Sequence, residues 1–299
     1  MLQRRRLIAI PAAIAVAALA TPAQAHEAAG GAGWFDDRLV DLLIAVPALL
    51  YALGLAALIR DRRPGAWQPL RAWRIAAFML AMATLIAALL SPFDEAADRS
   101  FAWHMAQHLL LMSVAAPLLA VSNAHLLLLR AFPVPVRRGI GRAIAAIPGV
   151  RRGGHAAVAA WLAFGAFSTG LWLWHAPGMY DLALRDEDVH TLEHLTFLLT
   201  SIAFWRVIGT SGGRRLSIGM SVLMVSLVGL EGALLAALIT LAPRPLYAAY
   251  ATHPDALSDQ VMAGVLMWVP ASLLYLASSV LALRRLLAGP LRQHPSRAV

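Results

Sequence analysis

Long runs of apolar residues, separated by short polar connections, constrain the fold of this chain more than any other feature. A helix of about 20 apolar residues is long enough to cross the hydrocarbon core of a bilayer. Hydrophobic residues make up 60% of the 299 positions, and the mean hydropathy is +0.68. This composition is too apolar for an ordinary soluble domain. The sequence therefore predicts an all-α, polytopic membrane protein.

Seven stretches are long and apolar enough to be membrane spans, so we expect a single bundle of seven transmembrane helices within residues 26–299. Prolines 47, 117 and 270 fall inside three of these stretches, and kinks are expected there. The predicted spans are 39–59, 73–90, 105–129, 156–174, 190–208, 216–241 and 261–283.

Residues 1–25 have the pattern of a secretory signal peptide. Three arginines precede the apolar stretch 7–20, and Ala23-Gln24-Ala25 fits a cleavage site with small residues. An uncleaved first helix is the alternative, but 14 apolar residues are short for a span. We expect cleavage after Ala25, which would make His26 the N-terminus of the mature protein.

The arginines predict the orientation of the bundle. With the mature N-terminus outside and the C-terminus inside, the cytoplasmic segments 60–74, 130–155, 206–215 and the tail carry 18 of the 25 arginines and one acid, Asp61. The outer segments carry four arginines and 14 acids. An excess of arginine marks cytoplasmic loops. It also accounts for the net charge of +9, so we expect no nucleic-acid partner.

Histidines concentrate on the outer side of this predicted topology, where seven of the ten lie. His104 and His108 are four residues apart, as are His190 and His194, so each pair shares one helix face. His175 directly follows the predicted span 156–174. A single pair is typical of hydrogen bonding between helices. Two pairs and a fifth histidine at one depth favour a metal or cofactor site, because polar groups within spans are costly and usually functional.

The available side chains limit the metal. The chain has no cysteine, so a soft-metal site must use histidine and methionine. Met105 and Met112 share the predicted helix of the first histidine pair and are the best thioether candidates. Imidazole and thioether together favour Cu(I), although core packing is the usual role of a single methionine.

Other polar residues near this face are candidates for supporting roles. Acidic residues there are expected to orient the imidazoles through hydrogen bonds. Glu231 lies deep inside a span, where a proton relay and a structural hydrogen bond are equally consistent with its position. Asp259 and Gln260 open the last predicted span, where Ser258 or Asp259 could serve as its N-cap. The lower-ranked candidates are Glu193, Asp94, Asp181, Asp259, Gln260, Glu231, His253 and His26.

Six motifs follow one another along the chain. They are S-P-F-D (91–94), W-H-M-A-Q-H-L-L-L (103–111), W-H-A-P-G-M-Y-D-L-A-L (174–184), H-T-L-E-H-L-T-F (190–197), P-L-Y (245–247) and D-Q-V-M-A-G-V-L-M-W (259–268). Together they resemble the CtaG family of cytochrome c oxidase assembly factors, the seven-span membrane type, and the resemblance covers about residues 35–285. It implies a bacterial inner-membrane protein, without enzymatic activity, that is needed to make active haem–copper oxidase and handles copper at the periplasmic face. Oxidase subunits are the implied partners, and a periplasmic copper chaperone is a further one.

Two other functional classes use similar residues. H-x-x-E-H at 190–194 matches the inverted zinc-peptidase signature, with Glu193 as the general base of a membrane zinc hydrolase. Paired histidines on facing helices also suit a b-type haem or quinone redox protein. Metal analysis and a visible spectrum distinguish these classes from a copper-handling protein.

Overall fold

The computed structural model describes residues 38–61, 71–90, 92–146, 156–209 and 216–287. Within these ranges the chain is helical and contains no strand, as predicted for an all-α protein. The predicted signal peptide, residues 1–25, and His26 lie outside the described residues.

Twelve α-helices and one π-helical segment are present in the described ranges. The helices are α1 (Arg38–Arg60), α2 (Ala72–Leu89), α3 (Pro92–Arg99), α4 (Phe101–Leu109), α5 (Ala116–Ser122), α6 (His125–Arg130), α7 (Val134–Ala146), α8 (Ala156–Trp174), α9 (Pro177–Ala183), α10 (Glu187–Gly209), α11 (Ile218–Leu241) and α12 (Ala256–Leu287).

Six helical stretches of the described chain are long and apolar enough to cross a membrane, which makes this a multi-pass membrane protein. They are Val40–Arg60, Ala72–Leu89, Phe101–Ser122, Ala156–Trp174, Ile218–Leu241 and Ala256–Arg284. The sequence predicts seven membrane spans. The seventh, α10, has 23 residues but is less apolar than the six. Its sequence includes two histidines, Glu193 and Arg206, which lower its hydropathy.

The third predicted span, 105–129, is wrong at its C-terminal end. The helical stretch begins at Phe101 and stops at Ser122, because Asn123 adopts a left-handed conformation with φ 52°. Asparagine tolerates this conformation better than most residues. The apolar residues that follow form a separate helix, α6, rather than the end of the span.

A π-helical segment, Leu110–Ala115, interrupts this third stretch directly after the first histidine pair. In a π-helix each backbone carbonyl accepts a hydrogen bond from the N–H of the residue five positions later. For Met112 that residue is Pro117, which has no N–H to donate. The indole Nε1 of Trp205 on α10 donates to the Met112 carbonyl instead, at 3.2 Å. The irregular turn therefore fastens this stretch to α10. By contrast, α1 and α12 continue through Pro47 and Pro270.

Small residues allow the long helices to approach closely. A side chain at Gly264 on α12 would overlap Thr240 on α11, and one at Gly229 would lie 3.5 Å from Tyr275. Gly232 does not have this role, since nothing lies within 4 Å of the corresponding position. Close packing through small residues is typical of helix pairs in membranes.

Gly54 on α1 provides a test of this packing, because an added methyl group would overlap the backbone carbonyl of Leu127 on α6. We expect Gly54→Ala to destabilise the protein by about 1–3 kcal/mol, the usual cost of overpacking. Thermal unfolding of purified protein in detergent measures the effect.

The matched control is Gly165→Ala on α8, where nothing lies within 4 Å of the added carbon. Alanine is the better helix former by up to about 1 kcal/mol, so this variant should unfold at the same temperature or higher. Equal melting temperatures for the two variants would contradict the proposed close contact.

Candidate metal centre

The five histidines singled out in the sequence converge at one end of the bundle. The ring centroids of His104 and His108 are 4.3 Å apart, as are those of His190 and His194. His104 lies 5.2 Å from His190, and His108 lies 5.2 Å from His194 and 6.5 Å from His175. The two i, i+4 pairs therefore face each other across the α4–α10 contact, with His175 beside them.

The helix α4 that carries His104 and His108 is anchored at its first turn. Ser100 is the N-cap, and its hydroxyl accepts from the backbone N–H of Trp103 at 3.4 Å. Asp259 on α12 accepts from the Ser100 hydroxyl at 2.8 Å and from the N–H of Phe101 at 2.6 Å. A carboxylate is favourable at a helix N-terminus. Asp259 thus caps α4 and joins it to α12. The prediction that it caps its own helix is wrong, because α12 begins at Ala256.

His175 is held in one orientation directly after α8. Its Nδ1 lies 2.7 Å from the carbonyl oxygen of Leu171. A carbonyl can only accept, so Nδ1 carries the proton and Nε2 has a lone pair. Among the described residues Nε2 has no hydrogen-bond partner. The hydroxyl of Tyr247 donates to the backbone carbonyl of His175 at 3.0 Å. His175 therefore presents a ligand nitrogen to the cluster.

Several buried polar atoms of the cluster have no hydrogen-bond partner among the described residues. They include both ring nitrogens of His104 and of His108, Nε2 of His194 and both carboxylate oxygens of Glu193. His104 is fully buried, and His108 and His194 are less than 5% exposed. An unsatisfied buried polar group costs about 1–3 kcal/mol. A bound cation would use these lone pairs.

Two groups of side chains have the geometry to hold one ion. His104, His190 and His194 form one, and His104, His108 and Glu193 form the other; within each group the ligand atoms lie within 4.8 Å of one another. Glu193 is 1% exposed, and its Oε1 lies 3.8 Å from Nε2 of His108. His104 belongs to both groups. The carboxylate that was expected to support the histidines is thus itself in a ligand position.

A small cavity in the interior of the bundle adjoins the histidines. Its volume is about 50 Å³, enough for an ion or a water molecule. Met105 and Met112, predicted as thioether candidates, line it together with Met267. His108 and His175 line the same cavity. The structure therefore places three thioethers next to two of the five imidazoles.

Aromatic residues cover the cluster on its other side. The ring of Tyr180 on α9 lies 5.3 Å from His104 and 4.1 Å from Tyr247. Phe101 packs against Tyr180 and Tyr250. Burial raises the pKa of Tyr180 and of Tyr247 well above the usual value, so both phenols stay neutral at physiological pH. This aromatic layer separates the histidines from water.

The lower-ranked candidates support the surrounding helices. Asp94 accepts from Nε2 of the buried Gln107 at 2.6 Å, and the same nitrogen donates to the Ala88 carbonyl. Asp181 accepts from the N–H of Ala249 at 3.1 Å and so joins α9 to the segment after α11.

Gln260 and Glu231 also connect helices. Gln260 accepts from the N–H of Leu246 at 2.7 Å and donates to the carbonyl of Ile239 at 3.1 Å. Glu231 accepts from the hydroxyl of Ser168 at 2.7 Å and joins α11 to α8. His253 is exposed and lies beside Tyr250, outside the histidine cluster.

Three residues important to this arrangement were not identified from the sequence: Gln107, Tyr180 and Tyr247. All lie inside the motifs quoted above, but a glutamine or tyrosine in an apolar segment has no spacing that predicts its partner. Gln107 is fully buried, and a buried amide is expected to be hydrogen-bonded. That expectation is the one signal available in the sequence.

The fold and the site together define a class, namely multi-pass helical membrane proteins with a buried histidine cluster at one end of the bundle. The family model described as "Cytochrome c oxidase caa3 assembly factor (Caa3_CtaG)" matches residues 49–288, which is about four-fifths of the chain. The chain therefore belongs to this family of cytochrome c oxidase assembly factors, and the resemblance seen in its motifs is confirmed. The comparison with curated proteins found no match. The comparison with solved structures found none either.

The pKa of His175 predicts how the stability of the metal-free protein depends on pH. Burial lowers this pKa to about 4, although the hydrogen bond to Leu171 opposes the shift. The unfolded chain, with a pKa near ~6.5, then binds the proton more readily. The contribution of neutral His175 to stability is therefore complete above about pH 6.5 and lost as pH falls toward 4.

We expect the melting temperature of chelator-treated protein to fall between pH 7 and pH 4.5, and to fall less steeply in His175→Gln. The exposed His253 is the control, since His253→Gln should leave the slope unchanged. An identical slope in wild type and His175→Gln would contradict a neutral, buried His175.

Proposed function

We propose that this assembly factor binds Cu(I) at the histidine cluster and delivers it to a subunit of a haem–copper oxidase. The observation that carries the proposal is the convergence of five imidazoles in a buried site where ring nitrogens have no protein partner among the described residues. The role of the protein in oxidase assembly follows from its family, and we infer that this role is not catalytic.

The choice of Cu(I) rests on the chemistry of the donors. Neutral imidazoles and thioethers suit a soft, monovalent copper ion. Met105, Met112 and Met267 line the cavity that His108 and His175 also line. Because the whole sequence contains no cysteine, thiolates do not compete for the metal. The aromatic layer that includes Tyr180 and Tyr247 limits access of water.

The number of donors suits transfer better than storage. Five imidazoles and Glu193 exceed the roughly four ligands of a closed tetrahedral site. His104 belongs to both candidate ligand groups, and His108 continues the series toward the methionine-lined cavity. Cargo copper can then exchange ligands stepwise between neighbouring groups without leaving the protein. A periplasmic copper chaperone is the donor consistent with this route.

We further propose that α10 is a seventh span and that the protein lies in a bacterial inner membrane with the cluster facing the periplasm. Pairing of polar residues inside the bundle supports the span, because His194 and Glu193 on α10 are both buried against other helices. The orientation rests on the 18 arginines of the segments that the sequence predicts to be cytoplasmic.

Single cysteines test this orientation, since the native chain has none that would react. We expect Arg185→Cys to react with a membrane-impermeant maleimide in intact spheroplasts, because the loop before α10 is periplasmic. Arg138→Cys on α7 should react only after the membrane is opened. The reverse pattern would place the histidines on the cytoplasmic side and would exclude delivery from the periplasm.

The two histidine pairs test the shared site. His190→Ala/His194→Ala should weaken Cu(I) binding by more than the ~10–100-fold that loss of a supporting residue costs. His104→Ala/His108→Ala should have a similar effect, and the quadruple variant should bind little worse than either double variant. Residues of one network couple in this way, whereas independent sites have additive effects. Competition with a Cu(I) chelator measures binding, and oxidase activity of host membranes is the functional readout.

The control is His253→Ala, which removes an exposed histidine outside the cluster and should change neither quantity. Binding should also weaken as pH falls, because a metal requires the neutral imidazole. Normal copper binding and normal oxidase activity in the His190→Ala/His194→Ala protein would refute the proposed site.

The position of Glu193 keeps a zinc hydrolase as the second candidate, because its carboxylate groups with His104 and His108. Metal analysis of the purified protein separates the two. Copper with normal oxidase maturation in Glu193→Gln would exclude a general base at this position. Stoichiometric zinc, with hydrolytic activity lost in Glu193→Gln, would favour the hydrolase.

A further inference from the structure

Two arginines converge at the end of the bundle opposite the histidines. Arg74 lies in the first turn of α2, and Arg206 lies in the last turn of α10. Both side chains are half-buried, and both reach the amide of Asn123, the left-handed residue after α5. Nη1 of Arg206 also lies 3.2 Å from Nδ1 of His125. Side chains from four segments therefore meet at one point.

The Asn123 amide cannot satisfy both guanidinium groups. In one orientation its Oδ1 lies 3.5 Å from Nη1 of Arg206. In the other, which is better satisfied, the oxygen accepts from Nη1 and Nη2 of Arg74 at 3.1 and 3.3 Å. In each case the amide NH₂ faces the other guanidinium, and these two donors cannot form a hydrogen bond with each other. The amide oxygen of Asn123 can therefore accept from only one of the two guanidinium groups at a time.

Carboxylates are almost absent from the described residues at this end of the bundle. The described positions of segments 60–74, 122–146 and 206–217 contain one acid, Asp61, against eight arginines. Asp61 lies 3.4 Å from Nη1 of Arg130. Positive charge is therefore in excess among these described residues. An anion that accepts from both Arg74 and Arg206 would offset part of this charge.

The cluster lies at the depth of lipid head groups. Trp73, next to Arg74, is 49% exposed, and the Arg74 guanidinium lies 5.4 Å from its ring centroid. Exposed tryptophan at the end of a span is typical of the membrane interface. The neighbouring α7 carries Arg137, Arg138 and Arg142, as expected of a helix that lies along a negatively charged surface.

We propose that Arg74, Arg206 and Asn123 bind a phosphate group, supplied by the head group of an anionic phospholipid. The planar guanidinium presents its donors in a fork that matches two phosphate oxygens. Burial, Arg206 and Arg74 together lower the pKa of His125, which keeps this ring neutral and able to accept from Arg206. His125 is thus a positioning residue for one guanidinium. Phosphate bound here would hold α2, α5 and α10 together at the inner leaflet.

Native mass spectrometry of the detergent-purified full chain tests this inference. Wild type titrated with phosphatidylglycerol should retain one lipid tightly, whereas phosphatidylcholine should bind more weakly. Arg74→Gln/Arg206→Gln should weaken phosphatidylglycerol binding about 10–100-fold, the scale of a lost hydrogen bond to a charged group. The matched control, Arg138→Gln/Arg142→Gln, removes the same charge from exposed positions and should lose less than ~5-fold.

Equal losses in the two double variants, or no loss in either, would overturn the proposal and leave only a general attraction of the basic surface for lipid. Titration with sodium phosphate distinguishes a lipid head group from free phosphate as the bound group. If it displaces the lipid and alone raises the melting temperature of wild type but not of Arg74→Gln/Arg206→Gln, the site is supported and takes free phosphate. Should the glutamine variant fail to fold, Arg206→Lys keeps the charge without the fork. It should bind phosphatidylglycerol less tightly than wild type, and unchanged binding would also overturn the proposal.

Discussion

Burial of imidazoles in an apolar bundle is the physical constraint on which this structure depends. A polar ring inside a membrane protein is costly unless its nitrogens have partners, yet His104 is fully buried and His108 is nearly so. Helix packing alone does not satisfy these nitrogens among the described residues. A soft metal ion could use such lone pairs, and this is the physical argument for the copper-handling role that we propose for this oxidase assembly factor.

The cluster keeps its geometry because hydrogen bonds outside it hold the helices in place. Asp259 caps α4 from α12, and Gln107 joins that helix to Asp94 and to α2. Tyr247 holds the backbone of His175. These residues come from separate motifs of the sequence. Each of these contacts fixes a backbone segment, so the histidine side chains are oriented by their helices, as expected of supporting residues around a metal.

The described part of the chain has opposite electrostatic character at its two ends. One end gathers neutral histidines, Glu193 and thioethers, whereas the other gathers guanidinium groups around Asn123. A copper site benefits from the absence of nearby fixed positive charge, because cationic neighbours would oppose a bound cation. Arg74 and Arg206 lie at the far end of the bundle, away from the proposed copper site, where we propose that they bind a lipid phosphate.

The sequence alone determined the helical class, five of the spans to within a few residues, and the five histidines of the cluster. Those features depend on local periodicity and composition, and i, i+4 spacing places two side chains on one face whatever the fold. It also determined the family, through motifs spread from residue 91 to residue 268. It did not determine the end of the third span, where the left-handed Asn123 contacts Arg206 and the π-helical segment accepts a hydrogen bond from Trp205, both on α10. Only the tertiary structure decided that Asp259 caps another helix, that Met267 joins the cavity and that Arg74 meets Arg206. These contacts join residues more than 100 positions apart, and local sequence carries no information about which distant helices pack together.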